Sequence, residues 1–424
     1  MVKLERSLSL WEVTLMSVGI ILGAGIYVVI GKAAGITGNS IWLSFILGAL
    51  VATFTGLSYA ELCSRYPKAG AEYIYIKHSF GKKSAWLGGW LIIAGNIIGA
   101  ATVALGFSYY FSALFETPLL LTSMILLILC GIILILGVKE TASVTILFTV
   151  IEAIGLIIII SIGLPRLGEV DYFQLANGLK GVIEASVLIF FSYLGFQGIT
   201  RLAEETKNPE KTIPKAIILS IIITTVIYIL VGISAVSVVP SNELAQQEAP
   251  LAAIAEKVFG QQSFFLLSGI ALFSTFNTAL MMLLSGSRLV YGISKEKALP
   301  KIFSHISKKT LAPSTAIIAV VIVSIIFLFI GDLTSIANLT NFTVFSVFIF
   351  VNASLIYFRI KKPVSEGFKV PINIKNIPIL PILGILTSLF MIANVTLNIL
   401  LLGILLIIIG LMVYLILNKI TKKD

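Results

Sequence analysis

Two long apolar segments are each interrupted by a cluster of glycines, and this pairing constrains the chain more than any other feature. Residues 17–31 read SVGIILGAGIYVVIG and residues 189–200 read IFFSYLGFQGIT. Each lies in an apolar stretch long enough to cross a bilayer, yet each carries helix-weakening glycine near its middle. Backbone released from helical bonding inside hydrocarbon is tolerated only where it is buried in protein or lines a polar cavity. Interrupted helices at corresponding places in two halves of a chain point to the binding site of a secondary transporter.

The rest of the chain is equally apolar. Its 424 residues are 58% hydrophobic and 12% charged, about half the charged fraction of a soluble domain. The hydropathy pattern predicts an all-α polytopic membrane protein with twelve transmembrane helices, near 10–34, 40–64, 84–112, 118–137, 142–164, 181–203, 213–237, 264–291, 314–331, 335–359, 376–395 and 398–418. Each is about 20 residues, the length that crosses hydrocarbon.

A net charge of +10 raises nucleic acid as a partner, but the distribution argues for topology instead. Of 30 Lys and Arg, 26 fall in the N-terminus, the even-numbered connections with their flanks, and the C-terminus, leaving only Lys32, Arg166, Lys180 and Lys257 elsewhere. This asymmetry places both termini in the cytoplasm, and the expected location is the cell membrane. Lys3 and Arg6 precede an apolar run, but that run is too long for a signal peptide and contains the glycine cluster. Cys63 and Cys130 sit on different spans, with neither spacing nor context for a metal or a disulfide.

Five spans followed by five inverts the second group relative to the first, and an interrupted span opens each. The predicted organisation is a five-helix repeat at 8–165, an inverted five-helix repeat at 178–362, and two peripheral helices at 374–420, in one transporter unit. Three connections are long enough for structure of their own: 66–83 as an interfacial helix, 249–260 as a short outer helix, and 295–313 as a basic loop. An ordinary connection is the alternative for each.

At four places the residues resemble the amino acid–polyamine–organocation superfamily of permeases. These are GIILGAGIYVVIG at 19–31, YAELCSRYPKAGAEYIY at 59–75, FFSYLGFQGITRLAEETKNPEKTIPKAI at 190–217, and SGSRLVYGISKEKALP at 285–300. They occur in family order and cover the first ten spans. The resemblance implies a bundle of two inverted five-helix repeats that moves amino acids or related amines.

In the first interrupted span, Gly23, Ala24 and Gly25 are small enough for close approach of a ligand. The helix that follows presents free N–H groups and a positive dipole end, which stabilise a carboxylate. The resemblance places the carboxylate-binding motif on Ala24 and Gly25; small residues would also suit a helix-packing face. In the second, unwound carbonyls from Ser192 to Gln197, around Gly195, can accept from an ammonium group. Together the two form a clamp for a zwitterion. The resemblance implies that Phe191 shields the substrate and Leu194 contacts it. Many members carry an acid where this chain has Gln197, so a gating acid is not expected there. Ile21, the face carrying Asn96, Ala100 and Val103 at i, i+4, i+7 spacing, and the region of Phe342 and Phe345 are the expected pocket lining. That lining is apolar and fits a neutral, small or medium side chain. Core or lipid-facing packing is the alternative for each.

Glu152 is the outstanding charge. It lies about ten residues into the fifth span, roughly 15 Å deep. Glu61, Arg201, Glu204, Glu205 and Arg288 lie near the cytoplasmic ends of their spans, Glu12 near the start of the first, and Glu184 near the outer start of the sixth. An unpaired carboxylate in the membrane is functional by default, although a structural Glu bonded to a hydroxyl is the alternative. Some proton-coupled relatives carry Lys at the corresponding place, so Glu152 reverses that charge. The resemblance also marks Gly19, Leu22, Ser274 and Thr275 as ion ligands in sodium-coupled members, though membrane-helix hydroxyls most often bond their own backbone.

No catalytic constellation or phosphate-binding loop is present, and His78 and His305 fall in predicted connections. The chain reads as a non-enzymatic secondary amino-acid transporter, with H⁺ as coupling ion ahead of Na⁺ or exchange. It is expected to need a lipid bilayer, no cofactor and no nucleic acid. The competing class is an amino-acid sensor on a transporter scaffold. The nine residues before the first span and six after the last read against the signalling segment a sensor needs.

Overall fold

The computed structural model describes residues 8–66, 71–136, 142–204, 206–295, 298–307, 310, 312–361 and 367–420. Positions 67–70, 205 and 296–297 of the quoted motifs, and the side chains of Arg201 and Glu204, lie outside what is described.

The chain is almost wholly helical. In order come α1 (Leu10–Thr37), α2 (Ile41–Arg65), α3 (Ala71–Phe115), α4 (Leu119–Ile135), α5 (Ala142–Gly163), α6 (Gly178–Ile189), α7 (Pro209–Val238), α8 (Ser241–Leu244), α9 (Pro250–Phe259), α10 (Gln261–Lys295), α11 (Ser314–Phe327) and α12 (Leu333–Lys361). A two-stranded hairpin, β1 (Asn373–Ile374) and β2 (Ile377–Pro378), precedes α13 (Ile379–Ala393) and α14 (Leu397–Ile420). Among the described residues, eight helical stretches are long and apolar enough to cross a membrane. The first of these, Leu10–Arg65, contains both α1 and α2; with the shorter apolar α4, α11 and α13 the total reaches the expected twelve.

Local chemistry explains the boundaries. Ser9 and Glu12 form a capping box at the start of α1, with the Ser9 N–H donating to Glu12 Oε2 at 2.7 Å and satisfying a donor the helix leaves open. The expected interfacial helix at 66–83 is the first part of α3, bent away from the span at Gly81. Its φ of +83° is a conformation that favours glycine. The expected outer helix is α9. The basic connection at 295–313 holds a short 3-10 turn at Lys301–Ser304, and the hairpin at 373–378 has no counterpart in the hydropathy pattern.

Burial differs widely between the helices. Some 89% of the most apolar window of Leu10–Arg65 is buried, against 17% for Leu397–Leu417, which puts α14 at the edge of the bundle. Two indoles hold it there: Trp86 and Trp90 of α3 donate to the carbonyls of Gly410 and Leu406 at 2.8 and 3.0 Å. At the C-terminal ends of α2 and α12, the fully buried Glu61 accepts from Arg65 and, through both oxygens, from Arg359.

Candidate functional site

The break in α1 is at Gly23, whose φ of −3° and ψ of −158° lie outside the helical region. The helix restarts at Ala24, so the first N–H groups of the new segment lack partners four residues back. The Ala24 N–H donates to Thr278 Oγ1 of α10 at 3.0 Å. Gly25 is required by packing: a Cβ there would lie 2.5 Å from Ser192 Cα and 3.1 Å from the Phe191 carbonyl. The two interrupted segments therefore touch backbone to backbone.

The second break spans several residues. α6 ends at Ile189 and passes through a 3-10 turn at Phe190–Tyr193; Leu194 is then extended and Gly195 has φ +121°. A 3-10 segment resumes at Phe196–Glu204. Gln197 stabilises the interruption by accepting the Gly195 N–H on Oε1 at 3.1 Å. A side chain at Gly195 would collide with Ile20 of α1. Tyr228 of α7 joins the two breaks: its buried hydroxyl lies 2.7 Å from the Ile21 carbonyl and 2.8 Å from the Ser192 carbonyl, sharing one proton between them. The Ser192 hydroxyl is itself buried with no hydrogen-bond partner among the described residues.

Glu152 of α5 is 1% exposed, and neither carboxyl oxygen has a hydrogen-bond partner among the described residues. Ser274 and Asn277 of α10 face it without reaching hydrogen-bond geometry. Ser274 Oγ and Asn277 Oδ1 are likewise buried and unpartnered. The Glu152 backbone carbonyl, by contrast, accepts from the Tyr27 hydroxyl at 2.8 Å, tying α5 to the segment of α1 beyond its break. On the other side of that break, Gly19 lets α1 close onto Thr149, one turn before Glu152.

The remaining sequence candidates divide. Ile21, Leu22, Ala24, Ala100, Val103, Phe191 and Leu194 are buried. Asn96 turns its amide back to the Ile92 carbonyl at 2.8 Å, and its Cβ faces Gly286. Phe345 packs on Phe190 with ring centroids 4.6 Å apart, while Phe342 lies against Gly403 of α14. Thr275 donates to the Ala271 carbonyl of its own helix at 2.7 Å, unlike Ser274.

Sequence reasoning missed Thr278 and Tyr228. Thr278 follows Ser274 by four residues and so shares its helix face. Tyr228 is the lone aromatic of α7, set among aliphatic residues. Either could have been noticed, but their partners lie 254 and 207 residues away for Ala24 and Ile21 respectively, and no local pattern names them.

The profile of a family described as amino acid permease matches residues 8–415. Over 415 residues the chain is 27% identical to the branched-chain amino acid permease BcaP of Bacillus subtilis (strain 168), covering 92% of this chain and 88% of that protein. It is 29% identical over 408 residues to the methylthioribose transporter of the same organism, covering 90% and 86%. It is also 29% identical over 356 residues to the vacuolar cationic amino acid transporter 4 of Arabidopsis thaliana, covering 78% of this chain but 59% of that longer protein.

Proposed function

The chain belongs to the amino acid permease family, and from that premise we propose that it carries a neutral, small or medium-sized apolar amino acid by proton-coupled symport. It is a multi-pass membrane protein of a transporter family, not an enzyme. The observation that carries the finer reading is the meeting of two interrupted helices at Gly25 and Ser192. One interruption offers the N–H end of a restarted helix to a carboxylate. The other offers unwound carbonyls to an ammonium group. Ile21, Phe191 and Leu194, which belong to these segments, are apolar, and the apolar Ala100 is the lining expected from α3, which suits an uncharged substrate side chain.

The two groups of five helices, 8–165 and 178–362, act as inverted repeats that rock about these breaks. Glu152 carries the coupling proton: an unpartnered carboxyl at this depth is far better accommodated neutral than charged. Sodium is the second reading, favoured by the unpartnered Ser274 hydroxyl beside Glu152. Thr275 is less available, being committed to its own backbone. The charge bias of the connections supports cytoplasmic termini, and the cell membrane is the location that goes with this reading.

The test is uptake by purified protein in proteoliposomes, across a panel of amino acids under imposed pH or sodium gradients. The expected result is accumulation of leucine, valine or alanine driven by an inward proton gradient, with the corresponding amides and amines competing poorly. Preference for lysine and arginine would overturn the substrate class, and accumulation driven by sodium alone would overturn the coupling ion.

A further inference from the structure

We propose that Thr278 is a built-in stand-in for the substrate carboxylate, holding the α1 break in order while the site is empty. The inference rests on the amino-acid reading above. The Ala24 N–H is a donor created by the break, and it is taken by the Thr278 hydroxyl at 3.0 Å, from a helix 254 residues away. The contact is built closely: a Cβ at Gly23 would lie 2.8 Å from the same hydroxyl oxygen, so glycine is what lets α10 deliver it. The opposite wall carries a polar group with nothing to bind. Ser192, whose Cα lies against Gly25, has a fully buried hydroxyl without a partner. One break therefore has its donor occupied by a replaceable neutral acceptor, and the other holds a donor waiting for an acceptor.

A carboxylate entering here satisfies both. It accepts the Ala24 N–H in place of Thr278 and the Ser192 O–H, and a charged acceptor makes the stronger hydrogen bonds. Thr278 is half-buried and can turn its hydroxyl to its own helix, as Thr275 does one turn earlier. The exchange avoids an empty state in which a buried N–H is left bare, a condition that weakens any break in a membrane helix. It also makes Thr278 a competitor of the substrate and a setting for its affinity.

The experiment compares wild type, Thr278→Val and Thr278→Ser in lipid nanodiscs, with L-leucine, L-valine and L-alanine as probes beside the amines that lack their carboxylate. Thr278→Val keeps the shape and removes the acceptor. It should tighten amino-acid binding by about tenfold and leave amine binding unchanged. The empty Val variant should melt at lower temperature than wild type, with the gap closing at saturating amino acid. Thr278→Ser should match wild type in every readout. Weaker or unchanged amino-acid binding by Thr278→Val, or an equal gain for amines, overturns the proposal. If wild type binds none of the amino acids, the functional reading fails and this one falls with it; failure confined to the variants overturns the stand-in role alone.

Discussion

Glu61 and Glu152 are both withdrawn from solvent, at 0% and 1% exposure, yet the protein surrounds them in opposite ways. Glu61 accepts from Arg65 at 2.5 Å, from Arg359 Nε and Nη2 at 2.6 Å each, and from the Val370 N–H at 2.8 Å. Its charge is compensated twice over, and the paired contacts to Arg359 fix the geometry. The cluster joins the C-terminal end of α2 to that of α12 and to the chain beyond it. Glu152 sits among a hydroxyl and an amide that do not complete a bond with it, and no cation among the described residues pairs with it. The difference separates two uses of a buried carboxylate. A saturated one holds structure and has no reason to change state. An unsaturated one is stable only in the form that needs least from its surroundings, so its protonation can follow a conformational change.

Three single substitutions and one double change sharpen that contrast, and thermal or denaturant unfolding of purified protein measures each. Glu61→Gln removes the buried negative charge that the Arg65 and Arg359 guanidinium groups share and should lower stability by about 3–5 kcal/mol. Removing Arg359 in the same protein should recover part of that loss, and strict additivity of the two changes would show that the pair is not coupled. Tyr228→Phe is intermediate: its hydroxyl serves the Ile21 and Ser192 carbonyls, so its loss should lower stability by about 1 kcal/mol. Glu152→Gln removes a group with no hydrogen bond to lose and should stay within about 1 kcal/mol of wild type. A Glu152→Gln loss as large as that of Glu61→Gln would erase the distinction.

Much of this architecture is legible in the sequence. Hydropathy marks the twelve apolar segments, glycine clusters mark the places where α1 and α6 leave the helical path, and depth within α5 marks Glu152. These signals are local, because a membrane helix declares its length and its weak points in its own residues. Partnerships are not declared. Glu61 gives no hint that Arg359, 298 positions later, will close on it. Asn96 lies on the same helix face as Ala100, but the face does not reveal that its amide returns to Ile92. Phe342 and Phe345 are three residues apart in α12, yet one packs on α14 and the other on Phe190. Periodicity reports which side of a helix is apolar; which neighbour covers that side is decided by the assembled bundle.

The central claim, that Glu152 is the group whose protonation is coupled to movement of the breaks, is tested most directly by transport through Glu152→Gln in proteoliposomes. Glutamine preserves the shape of a neutral carboxyl but cannot cycle a proton. The account predicts that this variant still exchanges internal for external amino acid at a rate near wild type, while accumulation driven by a pH gradient alone disappears. Accumulation of substrate by Glu152→Gln under the same pH gradient, to the level wild type reaches, would contradict it.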